Sequence, residues 1–114
     1  MIRVGFTRSI EGNYEAIVLL DAESGDTIEL QRSLAHDPQD ARLGMDTYAI
    51  VRGSAAVHYG GLVRFDVQGD VLVLELDPEA AGALELPDLL ELTVDGAAAE
   101  IIKQHLPRIV APTR

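Results

Sequence analysis

Apolar and polar positions alternate along most of the chain in short runs separated by turn residues, which is typical of antiparallel strands. Two such runs, Ala16 to Asp21 and Thr27 to Arg32, flank the polar segment Ala22 to Asp26. The length and composition of that segment suit the loop of a hairpin. The pattern therefore predicts a first antiparallel pair of strands in this part of the chain.

A second hairpin is predicted between Thr47 and Tyr59. The runs Thr47 to Arg52 and Ala55 to Tyr59 flank Gly53-Ser54, and a two-residue loop with glycine first favours a type II′ turn. The alternation of apolar and polar residues predicts three later strands, and Gln68-Gly69-Asp70 joins the first two of them as a third hairpin. The positions predicted to be buried there are Val63, Phe65 and Val67, then Leu72, Leu74 and Leu76, and finally Leu90, Leu92 and Val94.

Two helices are predicted in the C-terminal half. Asp77 is suited to cap a short alanine-rich helix that has Pro78 at its first position and ends near Leu84. A longer helix is expected from about Ala97 to Leu106, where apolar residues recur at helical spacing. Pro107 should end or kink it, because proline cannot donate a hydrogen bond to the preceding turn.

These elements predict one α+β domain spanning residues 1–114. It should be a mostly antiparallel β-sheet of hairpins, with a short A-rich helix and a C-terminal helix packed on one face. A chain of 114 residues is long enough to bury a core of its own, and it has no cysteine, which fits a reducing compartment. Without an apolar run long enough for a signal or a membrane span, the expected location is cytoplasmic.

The net charge of the chain indicates which class of binding partner to expect. Nineteen acidic and nine basic residues give a formal net charge of −10. Phosphates would meet an excess of like charge, so nucleic acid is not expected as a ligand. A protein with a basic surface is the natural partner, because opposite charges steer the encounter. Acidity that only keeps the chain soluble is the simpler alternative.

The segment from Asp37 to Gly61 carries the most specific motif. It reads DPQDARLGMDTY, with Asp37, Asp40, Asp46 and Tyr48 at fixed spacing, and continues through a strand pair to Tyr59-Gly60-Gly61. With the following strands and alanine-rich helix, it resembles immunity protein family ten of the bacterial polymorphic-toxin systems. The resemblance covers about residues 35–110.

That resemblance implies a function. It implies that the chain binds a cognate toxin domain, for example a nuclease, and neutralises it in the producing cell by stoichiometric inhibition. The residues expected at the toxin interface are Asp37, Asp40, Asp46, Tyr48 and Tyr59. For the two tyrosines, a role in the fold is an equal alternative, because strand tyrosines often pack inside.

No catalytic, cofactor-binding or metal-binding residue is predicted. The three aspartates lack the spacing of a calcium loop, and His36, His58 and His105 share no zinc-ligand spacing. Gly60-Gly61 lacks the further glycine of a dinucleotide site. The chain is therefore not expected to be an enzyme. A self-associating structural or regulatory domain, for example a homodimer without a toxin partner, is the alternative function.

Overall fold

The computed structural model describes residues 1–35, 47–54 and 56–111. These ranges contain eight strands and two helices. The strands are β1 (Ile2–Ser9), β2 (Tyr14–Asp21), β3 (Thr27–Ser33), β4 (Ala49–Arg52), β5 (Ala56–Tyr59), β6 (Leu62–Gln68), β7 (Val71–Leu76) and β8 (Leu89–Thr93), and the helices are α1 (Pro78–Leu84) and α2 (Gly96–Ile109).

The strands form two antiparallel sheets and not the single sheet that the sequence pattern predicted. The first sheet has the order β1-β2-β3-β4-β5 and the second has the order β6-β7-β8. The break falls at Gly60 and Gly61, whose φ angles of 74° and 99° turn the chain out of the first sheet. The predicted α+β class, antiparallel sheets with one short and one C-terminal helix, is confirmed.

The core lies between the inner faces of the sheets and the two helices. Helix α2 packs across β1, β2 and β3, while α1 contacts β5. The second sheet contributes Leu72, Leu74 and Leu76, which are buried as predicted. The other large, fully buried side chains are Ile17, Leu30, Ile50, Leu84, Val94, Ile102, Leu106 and Ile109.

Both helices begin with the same type of cap. The Asp77 carboxylate accepts a hydrogen bond from the backbone N–H of Ala80 at 2.7 Å, as predicted. Asp95 does the same for Ala98 at 2.7 Å. Pro107 does not end the second helix, which continues to Ile109. Because Pro107 is exposed and lies in the last turn, few helical hydrogen bonds depend on it.

Two strand predictions need correction, and one strand was missed. Val63 is 57% exposed, because a shift in register between Leu62 and Arg64 interrupts the alternation of β6. Arg52 pairs with Ala56, so the loop after β4 is longer than the predicted two-residue turn. Strand β1 was not predicted at all, although Ile2, Val4 and Phe6 alternate along it and pack against the core.

Candidate functional site

Ala35 is held in place by the turn between β1 and β2. The Asn13 side chain donates to the Ala35 carbonyl at 2.9 Å and accepts from the Ala35 N–H at 3.0 Å. The Leu34 N–H donates to the Asn13 carbonyl at 3.0 Å. Asn13 has a φ of 59°, a left-handed conformation that asparagine tolerates better than most residues. Ala35, which directly precedes the acidic signature segment (residues 36–46) in the sequence, is therefore anchored to the first sheet.

The second described range begins at Thr47, and Tyr48 anchors the chain there. Only 8% of Tyr48 is exposed, and its hydroxyl accepts a hydrogen bond from the Leu62 N–H at 2.9 Å. The Gly60 N–H donates to the Tyr48 carbonyl, also at 2.9 Å. Burial raises the pKa of the Tyr48 hydroxyl, so it remains protonated near neutral pH. The side chain thus ties the start of β4 to the start of the second sheet.

Replacing Tyr48 with phenylalanine is expected to lower the free energy of unfolding by about 1–2 kcal/mol, because the Leu62 N–H loses its acceptor in a partly buried position. Tyr59→Phe removes an exposed hydroxyl and serves as the control, with an expected change within about 0.5 kcal/mol. Urea denaturation of both variants measures the difference. Equal effects would mean that the Tyr48 hydroxyl does not stabilise the junction of the sheets.

A groove of about 310 Å³ lies between the two anchors, on the face of the first sheet opposite α2. Tyr14 and Tyr59 line it from β2 and β5, and Gln31, Ser33 and Ala49 line it from the strands between them. Strand alternation places these five side chains on the outer face, since core residues of the same strands point the other way. Tyr59 is 40% exposed there. The groove, here called the tyrosine groove, also includes Asn13 and Thr47 beside the anchors.

Only two of the five predicted interface residues, Tyr48 and Tyr59, lie in the part of the chain that the structure describes. Asp37, Asp40 and Asp46 lie outside the described residues, as does His36. Tyr59 lines the tyrosine groove, whereas the Tyr48 side chain belongs to the core on the opposite face of the sheet. Tyr14 and Asn13 were not predicted as site residues. The turn residues Gly12-Asn13 directly before a strand tyrosine were the available signal.

The two described histidines are engaged in contacts within the fold. His58 Nδ1 lies 3.0 Å from the Gly60 carbonyl oxygen. The His105 ring stacks on Phe6 with 3.6 Å between ring centroids. Within residues 1–35, 47–54 and 56–111, no three His, Asp or Glu side chains are grouped as metal ligands would be. In the same ranges, no helix has the length and apolar character needed to cross a membrane.

Most of the negative charge of the described residues lies in the second half of the chain. Residues 62–103 contain ten acidic and two basic side chains. Asp77 and Asp95 are used as helix caps, and Glu75 accepts a hydrogen bond from Arg64 at 2.9 Å. The outer face of the second sheet still carries the exposed Asp66 and Glu91. Some of these carboxylates therefore cap helices, and others give the second sheet a negatively charged outer face.

The comparisons with known proteins identify the family. A family model described as immunity protein 10 matches residues 3–102, and the chain therefore belongs to that family. The resemblance inferred from the signature is confirmed, and the match also extends over the N-terminal strands that the signature did not cover. Membership supports an immunity function and implies a toxin as partner. No match was found among curated proteins or among solved structures.

Proposed function

We propose that this protein neutralises its cognate toxin by stoichiometric binding, without catalysis, in the cytoplasm of the producing cell. The proposed contact surface combines the signature segment with the tyrosine groove. The observation that carries it is the pair of anchors: Ala35 is held by Asn13, Tyr48 is held by Leu62, and the groove lies between them. Anchoring both ends lowers the entropy that a contact segment loses on binding.

Charge supports a basic partner. The chain carries a net charge of −10, and Asp37, Asp40 and Asp46 concentrate three carboxylates in one short segment. A toxin that acts on polyanions, such as a nuclease, needs a cationic cleft, and an acidic inhibitor would be steered towards it. Tyr59 would supply the apolar contact at the centre, since an exposed tyrosine buries a large ring on binding. Tyr48 would act indirectly, by holding the end of the segment.

Replacing Asp40 and Asp46 together with asparagine is expected to weaken toxin binding by about tenfold or more and to flatten its salt dependence. The melting temperature should stay nearly unchanged. Titration calorimetry at low and high salt measures affinity, and thermal unfolding measures stability. Asp66→Asn with Glu91→Gln is the matched control, because it removes two exposed charges from the second sheet and should leave affinity nearly unchanged.

The two variants separate three outcomes. Equal weakening in both would indicate that only overall charge matters, and the proposed contact surface would then be wrong. A fall in melting temperature for the Asp40 and Asp46 variant would assign these residues to the fold. Loss of affinity in that variant alone would support the signature segment as the contact.

Self-association is the second candidate function, and one observation favours it. Strand β1 has eight residues and is an edge of the first sheet. An edge strand can pair with the same strand of a second copy. Light scattering of the 12.3 kDa chain distinguishes monomer from dimer. A stable symmetric dimer that inhibits no toxin would replace the inhibitor proposal.

A further inference from the structure

A second cavity is lined by three arginines and shares Arg32 and Ser33 with the tyrosine groove. Strand register places Arg8, Glu15 and Arg32 in one row across β1, β2 and β3, on the face covered by α2. Arg108 reaches the same point from α2. With Ser33 and Leu34 these residues line an open pocket of about 320 Å³, here called the arginine pocket. It exceeds by far the ~10–15 Å³ that one water molecule requires.

One carboxylate lies at the base of this pocket. Glu15 is 3% exposed and accepts two hydrogen bonds from Arg108, at 2.9 and 3.1 Å. These bonds, followed by the positive charges of Arg108 and Arg8, hold the pKa of Glu15 below its usual range despite its burial. Glu15 is therefore ionised at neutral pH, and it compensates one of the three guanidinium charges.

The C-terminal end of α2 offsets part of the remaining positive charge. Arg32 Nη1 donates to the carbonyl oxygens of Arg108 and Ala111, at 2.8 and 3.1 Å. A helix C-terminus carries roughly half a negative charge. Among the residues that the structure describes at this pocket, three guanidinium groups thus face one carboxylate and one helix end, which leaves an excess of about one and a half positive charges. This excess occurs in a chain whose net charge is −10.

We propose that the arginine pocket binds an oxyanion, namely a carboxylate or phosphate group. Guanidinium groups present planar pairs of N–H donors that match the oxygens of both ligands. Arg8 is the central residue in this proposal, because its exposed side chain lines the pocket while Arg108 holds Glu15 and Arg32 caps α2. The ligand would be either an acidic side chain of a protein partner or a free small anion. The pocket itself does not depend on the proposed function.

The test uses inorganic phosphate and acetate as probes. Each is titrated into the ¹⁵N-labelled protein at constant ionic strength, and the NMR shifts of the Ser33 and Leu34 amides are followed. Saturable shifts are expected with at least one probe. Arg8→Gln should weaken that binding by about tenfold, since it removes one charged contact. Arg3→Gln, an equal charge change on the opposite face of β1, should leave it unchanged.

Absence of saturation with both probes, or equal weakening by Arg8→Gln and Arg3→Gln, would overturn the proposal. Repeating the titration on the complex with toxin distinguishes the two sources of the ligand. If toxin prevents phosphate or acetate from binding, and Arg8→Gln weakens toxin binding more than Arg3→Gln does, the pocket receives a carboxylate of the toxin. If the probe still binds to the complex, the ligand is a free anion. Failure of the anion titration would leave toxin neutralisation untouched.

Discussion

Gly61→Ala is expected to destabilise the protein by about 3 kcal/mol or more, because the added methyl group causes both backbone strain and a steric collision. Gly61 has a φ of 99°, which residues with a side chain rarely adopt. A Cβ atom there would also collide with the Ala80 side chain of α1 and would lie 3.1 Å from His58 Nδ1. Gly61 and α1 would have to move apart. Chemical denaturation measures the loss.

Two further variants separate backbone strain from collision. Gly69 has a φ of 62° and open space around it, so Gly69→Ala should cost only the strain, about 1 kcal/mol. Adding Ala80→Gly to Gly61→Ala should recover part of the stability, although glycine in α1 costs up to about 1 kcal/mol itself. Equal losses in Gly61→Ala and Gly69→Ala would contradict close packing between Gly61 and α1.

Arg108→Gln is expected to have the second largest effect, a loss of about 2–3 kcal/mol. The substitution leaves the buried Glu15 carboxylate without its two hydrogen bonds. Arg8 and Arg32 remain nearby and keep the loss below that of an isolated buried charge. Glu15→Gln should cost less, about 1–2 kcal/mol, because the Arg108 side chain is 49% exposed and can turn into solvent. Urea denaturation at pH 7 checks the order.

The ion pair between Glu15 and Arg108 also predicts that the free energy of unfolding depends on pH. Because the folded-state pKa of Glu15 is lowered, its stabilisation is present above the unfolded value, near 4.5, and is lost as pH falls through the folded value. The stability difference between the original protein and Glu15→Gln should therefore shrink between pH 7 and pH 3. Asp21, whose pKa is lowered by the Glu23 N–H, is present in both proteins and cancels. An unchanged difference would show that the pair is not ionic.

Local features of the fold could be predicted from the sequence. The hairpin β2–β3, the buried leucines of β7 and the cap at Asp77 depend on residues close together in the chain. Strand β1 was also predictable, since its apolar residues alternate from Ile2 onwards. The division into two sheets was not, because it depends on how the chain turns at Gly60-Gly61 and on the packing of Gly61 against α1.

The candidate sites also combine residues that a local motif can indicate with residues that only the packing of the fold brings together. Tyr59 was selected because it belongs to a specific motif, and the structure shows that it lines the tyrosine groove, whereas its contact with a toxin stays a prediction. Tyr48 comes from the same motif, but only its burial and the bond to Leu62 reveal its role in the fold. The arginine pocket could not be predicted, because Glu15 and Arg108 are 93 positions apart and meet only when α2 packs on the first sheet.

Growth rescue tests the central claim most directly. The reading frame next to the gene is expressed under tight control in a sensitive host, with and without this chain, and survivors are counted. We expect killing by the neighbouring product and survival when this chain is present, with weaker protection by the Asp40 and Asp46 variant. Killing that this chain does not relieve, although the chain is folded and abundant, would contradict neutralisation of that toxin.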